Sequence, residues 1–347
     1  MQNETFVGLD VHKNTVVATA MDPWGERINQ TTFGPRDDEL IEYLQGLPPG
    51  PKHVVLEACS VWEHYFDAAA STGADVTLSN PKKTKAIADA ELKSDKVDSE
   101  TLAELLRLNA IREAFPPDEP TRVLRRLVLE RLFYHSKEKS IRSHVYSVLL
   151  RKGIPYDDGV MMRKRDREKL RELKIPEVDR GLDALVHLDE LTTVLDKAVH
   201  ENFAKSKEAQ LLATVPGVGE ITALTLVAFL CPIDRFPNID KVSSYCGLCP
   251  TNYQSGETVR HGKLVRNCNH VLRWVLIEAS WSTRRYEPRG DVAKIGKRSA
   301  RRKGAGRSAV DAAHKLLKIC YAVLKRGTPY QPHAPEPEGR NATAAGP

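Results

Sequence analysis

Thr5-Phe6-Val7-Gly8-Leu9-Asp10-Val11 is an apolar run with one carboxylate set into it. A carboxylate inside a buried strand is costly unless a cation neutralises it. The run therefore reads both as a core strand and as one wall of a site. Working outward, residues 14–20 form a second apolar run, and His12-Lys13-Asn14 between them reads as a hairpin turn. A third strand fits residues 27–33. Residues 37–47 carry helical spacing, with Leu40, Ile41 and Leu44 on one face. Then follow a buried strand at 53–57, a helix at 61–70, a strand at 75–78, a helix at 81–89 with proline in its first turn, and a helix at 98–108.

Three meander strands followed by alternating strands and helices describe an α/β domain of the RNase H-like (RuvC-like) kind over residues 1–118. From Thr121 the pattern becomes purely helical. One stretch runs to about Arg151, where Gly153-Ile154-Pro155 breaks it, and a second runs from about 163 to 205 with an interruption at Pro176. Few glycines and an amphipathic face suggest an antiparallel coiled-coil arm over 119–207, self-associating or serving as an interdomain linker. A mostly helical C-terminal domain is expected over 208–326. After 327 the chain is rich in Pro, Ala, Gly and Glu, and a disordered tail is expected.

Composition narrows the function. The chain has 347 residues, 41% apolar and 6% aromatic, too hydrophobic for a disordered protein. No apolar run approaches the roughly 18 residues of a membrane span. Met1-Gln2-Asn3-Glu4 lacks a basic n-region, so a cytoplasmic protein with no membrane partner is expected. The 6 cysteines are scattered, and reduced thiols are the default. Net charge is only +6, yet the charge is segregated. Residues 1–120 hold 11 Lys and Arg against 21 Asp and Glu, whereas residues 121–180 hold 17 against 9 and residues 282–326 hold 14 against 3. That division suits an acidic catalytic domain joined to surfaces that hold a polyanion. For 121–180, solvated helix faces are an equal reading. For 282–326 nucleic acid is favoured, with Arg298, Arg301, Arg302 and Lys303 as the densest cluster.

Four carboxylates could carry chemistry. Asp10 and Glu57 each close an apolar strand, and Asp95 and Asp98 lie three apart, on one face if helical. Singly, Asp95 reads as a solvated loop charge and Asp98 as a helix N-cap. Together they fit an oxygen-only site for Mg²⁺ or Mn²⁺. Val215-Pro216-Gly217-Val218-Gly219 opens an apolar helix and resembles the helix-hairpin-helix turn that grips DNA backbones, with Gly217 and Gly219 presenting backbone amides. Ser255 lies in a stretch whose Pro, Asn and Gly make it a loop, and from the residues alone it is a turn serine. Lys263, Arg266 and Arg273 follow, together with His261, and could hold a phosphate. Cys246 and Cys249, with His261, Cys268 and His270 downstream, are too irregular for a convincing zinc site, and packed thiols are the better reading.

Gly8-Leu9-Asp10-Val11-His12-Lys13, Glu57-Ala58, Lys93-Ser94-Asp95-Lys96-Val97-Asp98 and Leu102-Ala103 resemble the RuvC-like domain of the DEDD transposases of the "one-ten" class of bacterial insertion sequences. Val215-Pro216-Gly217-Val218-Gly219, Phe236, Tyr245-Cys246-Gly247-Leu248-Cys249-Pro250, Ser255-Gly256, Leu272-Arg273 and Glu278-Ala279 resemble that family's second transposase domain. The resemblance covers about residues 5–285, in order, and not the segment beyond Tyr321. It implies a DNA recombinase. Asp10, Glu57, Asp95 and Asp98 would be its metal-binding carboxylates, and Ser255 the nucleophile that joins a DNA strand end. A structured bridge RNA would pair with donor and target DNA, and the helical arm would mediate dimers that synapse as tetramers. Two alternatives stand beside this: a RuvC-like structure-specific endonuclease in which Ser255 is structural, and a degenerate transposase kept as a nucleic-acid binder.

Overall fold

The run Thr5–Val11 is strand β1, the centre of a five-stranded sheet. The computed structural model describes residues 4–85, 95–155, 164–255 and 258–332, and the side chains at 85, 95, 96, 164 and 252–261 lie outside that description. β2 (Val16–Met21) and β3 (Arg27–Phe33) follow β1 as an antiparallel meander. β4 (Lys52–Glu57) and β5 (Asp75–Ser79) add in parallel on its other side, which gives the order β3-β2-β1-β4-β5. Helices α1 (Asp37–Gly46) and α2 (Trp62–Ser71) make the crossovers, and α3 (Pro81–Lys85) and α4 (Asp95–Arg107) follow β5. This is the mixed α/β arrangement that the meander-then-alternation pattern calls for. Its second strand starts later than residue 14, because the His12 amide bonds the Thr15 carbonyl at 2.9 Å and the intervening residues make the turn. The last helix starts earlier than residue 98, at Asp95. Of the helix expected over 81–89, residues 86–89 lie outside the described residues.

The two faces of the sheet are packed differently. Val7, Leu9 and Val11 point to one face, in register with Ala20, Ala18 and Val16 of β2 and, for the first two, with Val54 and Leu56 of β4. All are buried against Leu40 and Leu44 of α1 and Tyr65, Ala68 and Ala69 of α2. Gly8 and Asp10 point to the other face. There α4 lies so close that a Cβ on Gly8 would collide with the Ser99 carbonyl and stand 2.5 Å from the Ala103 nitrogen. Thr19, which pairs with Gly8 across the sheet, bonds its hydroxyl to that of Ser99 at 2.8 Å, and both are fully buried.

The chain divides into two compact units, Met1–Pro117 and Asp118–Pro347. The second begins with α5 (Glu119–Arg151), capped by the Asp118 carboxylate on the Thr121 amide. After α6 (Lys164–Arg171) comes α7 (Pro176–Lys205). α5 and α7 lie antiparallel: Val145, Val148 and Leu149 pack on Val178, Leu182 and Leu185 at one end, and Arg131 pairs with Asp196 at 2.6 Å towards the other. Short helices α8 (Lys207–Ala213), α9 (Glu220–Leu230) and α10 (Ile239–Tyr245) lead to a hairpin of β6 (Pro250–Ser255) and β7 (Thr258–Leu264). Helices α11 (His270–Tyr286), α12 (Asp291–Lys303) and α13 (Ala305–Arg326) complete the unit. Val128 of α5 and Val199 of α7 are buried in the same core as Leu224, Leu276 and Leu316 of the C-terminal helices, so the arm stretch 119–207 and the stretch 208–326 share one core. The first residues of the expected disordered tail are also held: the Tyr330 amide bonds the Thr214 hydroxyl at 2.8 Å, and its own hydroxyl reaches Glu287 at 3.2 Å. The remainder, 333–347, lies outside the described residues.

Gly8→Ala is expected to destabilise the protein by about 1–3 kcal/mol, the cost of overpacking against backbone that cannot move aside. Gly46→Ala in α1, where a Cβ meets nothing within 4 Å, is expected to stay within about 0.5 kcal/mol of the parent. Urea unfolding of the two variants compares them directly.

Candidate active site and nucleic-acid surfaces

Three features of the first unit bring carboxylates to one edge. The first is register: Leu9 of β1 pairs with Leu56 of parallel β4, so Asp10 and Glu57, next in each strand, leave the sheet together on the face opposite the α1–α2 core. The second is direction. Arg107, the last residue of α4, donates to the Pro23 carbonyl at 3.2 Å just beyond β2, beside the start of β1. α4 therefore runs against β1, and its N-terminal turn lies at the Asp10 end. The third is distance. Ser99 sits over Gly8, and four helical residues back from Ser99 to Asp95 span about 6 Å. Two strand residues on from Gly8 to Asp10 span about 7 Å. The first turn of α4, with Asp95 and Asp98, is thus level with Asp10.

The electrostatics suit anions there. The N-terminal end of α4 is the positive end of its dipole, which offsets part of the repulsion between the carboxylates around it. Asp10 keeps only 15% of its side chain exposed, and its Oδ2 lies 3.1 Å from Nε2 of His12. In the sequence His12 belongs to the hairpin turn and to the Gly8–Lys13 motif, with no chemical role of its own. Its signal was the i, i+2 spacing at a strand end, which returns both side chains to one side of the chain. Glu57 is half-buried and Asp98 exposed. Among the described residues no group of three His, Cys, Asp or Glu side chains converges closely enough to hold a metal ion, and the Asp95 side chain lies outside that set. The donors are carboxylates throughout, the chemistry of a hard divalent cation.

In the second unit Ser255 is not a loop residue. It is the last residue of β6 and pairs with Thr258 of β7 at the hairpin tip, its side chain lying outside the described set. Pro250, Asn252 and Gly256 are turn formers taken locally, but Thr251, Tyr253 and Val259 favour a strand once the partner strand is in place. Lys263 and Arg266 are exposed at the hairpin's base, where Leu264 pairs with Pro250. Arg273 points inward instead. Its guanidinium donates to the Val265 carbonyl and, at 2.9 Å, to the Cys268 sulfur, tying the chain that leaves β7 to α11. The expected phosphate contact at Arg273 is therefore corrected to an internal clamp on the hairpin's base.

The glycine turn is corrected in part. Gly217, at φ +85°, lies against the backbone of Ser282 and Thr283 in α11, where a Cβ would stand 2.7 Å from the Thr283 Cα. It serves helix packing. Gly219 is exposed as the N-cap of α9, but Glu220 occupies the first turn there and pairs with His200 at 3.0 Å. Cys246 is fully buried, and burial pushes its thiol well above the usual range. Of the basic cluster, Arg298, Arg302 and Lys303 line a cleft between α12 and α13, and Arg301 does not.

Comparison with known proteins converges on one family. Residues 7–153 match the DEDD transposase domain of the IS110 type, and residues 209–293 match the family described as transposase IS116/IS110/IS902. The chain is similar to the transposase for insertion sequence element IS1111A of Coxiella burnetii, at 22% identity over 95% of this chain and 92% of the relative. It is likewise similar to the transposase for IS1328 of Yersinia enterocolitica, at 22% identity over 94% and 99%. A pilin gene-inverting protein of Moraxella lacunata matches at 23% identity over 94% and 98%. No helix among the described residues is long and apolar enough to cross a membrane. With both matched segments in order along the chain and transposases among the relatives it matches over nearly their whole length, the chain belongs to the IS110/IS116/IS902 family of transposases, enzymes that cut and rejoin DNA.

Proposed function

We propose that this transposase exchanges DNA strands through two sets of groups, the sheet-edge carboxylates and Ser255. The carrying observation is the shared register of Asp10 and Glu57 with the first turn of α4 level with them. Asp10, Glu57, Asp95 and Asp98 would hold Mg²⁺, or Mn²⁺ in its place, which when bound polarises a phosphodiester and neutralises the charge that develops on it. Ser255 attacks the phosphorus. Its oxygen replaces one bridging oxygen, the released deoxyribose hydroxyl takes up a proton, and the seryl proton leaves to a base. The strand end is then joined to Ser255 with no net loss of phosphodiester bonds, and attack by the hydroxyl of an incoming strand frees the serine again. Arg273 holds the root of the hairpin on α11, so Ser255 is presented from a braced element.

Choice of donor and target DNA is delegated to a structured bridge RNA, while the protein grips backbones through its basic blocks, including Lys263 and Arg266. This rests on the family resemblance, and the segregated charge supports it. The protein acts as a dimer that pairs into a tetramer at synapsis. Supporting self-association, α5 and α7 expose apolar side chains that a solvated hairpin does not need: Phe133, Leu191 and, at 71% exposure, Val194. The carboxylates and the serine belong to different compact units, which makes a composite site feasible, one subunit lending the acids and another the serine.

Asp10→Asn is expected to lower recombination by orders of magnitude in Mg²⁺, and Ser255→Ala to abolish it together with any covalent protein–DNA adduct on denaturing gels. Recombination by Asp10→Asn at the parent rate would remove the metal assignment. An adduct that persists in Ser255→Ala would remove the nucleophile and favour the endonuclease reading. Co-expressed, the two variants are expected to regain part of the activity, because a mixed oligomer holds one intact acid set and one intact serine. No recovery, with mixed oligomers shown to form, would assign each site to a single subunit.

A further inference from the structure

The segment after residue 293 lies outside both matched families, yet it carries the densest positive charge in the chain. α12 and α13 fold back on each other there and enclose an open cleft of about 260 Å³. Its cations are not equivalent. Lys303 is bound to Asp311 at 2.9 Å, and Lys315 to Asp291 at 2.8 Å. Asp311 also accepts the Ser299 hydroxyl. Burial pushes its carboxyl up, but these two donors outweigh that and hold it below the usual range. Among the described residues Arg298, Arg302 and Lys318 have no acidic partner, and all three are exposed. His314 adds no charge: its ring meets the Ser243 hydroxyl at 3.0 Å, and burial, with Lys318 beside it, keeps it below the ordinary histidine range.

We propose that this cleft is a phosphodiester-binding site, in which Arg298, Arg302 and Lys318 grip the sugar–phosphate backbone of a double helix. The reading deepens the proposed nucleic-acid function by naming the site and the form of the ligand. Three unpaired cations from two helices converge on one concave surface, the arrangement that bidentate and point-charge phosphate contacts require. The duplex form follows from what the cleft lacks. Single strands are held by aromatic rings on which unpaired bases stack. No Phe, Tyr or Trp lines this cleft, and its imidazole is half-buried and engaged with Ser243. Lys303 and Lys315, already neutralised by acids, set the cleft's shape and are secondary as ligands.

The test is fluorescence anisotropy of the full-length protein with duplex DNA, duplex RNA and single-stranded DNA of one arbitrary sequence, over a range of salt. Replacing all three cations (Arg298→Gln, Arg302→Gln, Lys318→Gln) is expected to flatten the slope of log affinity against log salt for a duplex by about 0.9 per lost contact, so by roughly 2 to 3. Whether DNA or RNA duplex shows the drop identifies the source of the backbone. Lys207→Gln with Lys241→Gln, exposed cations outside the cleft and outside both basic blocks, should change it far less. Asp311→Asn should tighten duplex binding by about fivefold, because an anion leaves the cleft and Lys303 is freed. Lys318→Gln alone, an exposed change on α13, keeps the test valid if the triple variant is misfolded by circular dichroism. An effect no larger than that of the outside pair, a loss confined to single-stranded DNA, or weaker binding by Asp311→Asn overturns the proposal. The readout is binding alone. Failure here leaves the carboxylate and serine chemistry standing, while Asp10→Asn that binds duplex normally but does not recombine tests that chemistry separately.

Discussion

The bare backbone contact between α4 and Gly8 is the constraint on which the first unit depends. A helix normally packs on a sheet through side chains, at about 10 Å. Here the Cα of Gly8 faces the Ser99 carbonyl and the Ala103 amide directly, and the Thr19–Ser99 hydroxyl pair fixes the helix along its own axis. Both contacts are fully buried, so sliding α4 by one turn would strand two hydroxyls without partners. Lateral and axial position are thus set together. The first turn of α4 is delivered to the strand ends where Asp10 and Glu57 emerge, and the acids owe their common location to a glycine and two hydroxyls that take no part in chemistry.

The second unit uses the opposite solution. Its core is wholly side-chain packing, running from Val128 and Val199 in the long helices through α9 to Leu316 and Leu317 in α13. That core joins the near ends of the long helices to the basic helices α12 and α13, while the far end of the α5–α7 hairpin packs in a separate cluster of its own. Internal clamps recur in it: Arg273 on the β6–β7 exit, Ser243 on His314, Tyr330 on Thr214 and Glu287. In the first unit Asp10, Glu57 and the first turn of α4 lie towards one edge; in the second, cations are distributed over surfaces, and ion pairs decide which of them remain available.

Much of the first unit was legible because its signals are local. The apolar run Thr5–Val11 with Asp10 set into it, the turn at His12, and the apolar run ending in Glu57 each lie within a few residues. What was misread depends on distant partners. Ser255 looks like a loop serine until residues 258–264 pair with its strand. Arg273 counts as a free cation until its guanidinium meets Val265 and Cys268. Gly217 looks like an anion-binding turn until α11, more than sixty residues on, packs on it. Charge counting found the cluster at 298–303, but Lys303 and Asp311 lie in different helices, and only the folded pair separates Lys303 from Arg298 and Arg302.

The claim that the α4–Gly8 contact gathers a metal-holding set of acids is tested most directly by Mn²⁺ titration of the purified protein, followed by electron paramagnetic resonance without any DNA. The parent is expected to bind Mn²⁺. Asp10→Asn and Glu57→Gln should each weaken that binding by at least an order of magnitude, and Glu63→Gln, an acid on α2 outside the proposed ligand set, should leave it unchanged. Identical isotherms for the parent, Asp10→Asn and Glu57→Gln would contradict the account.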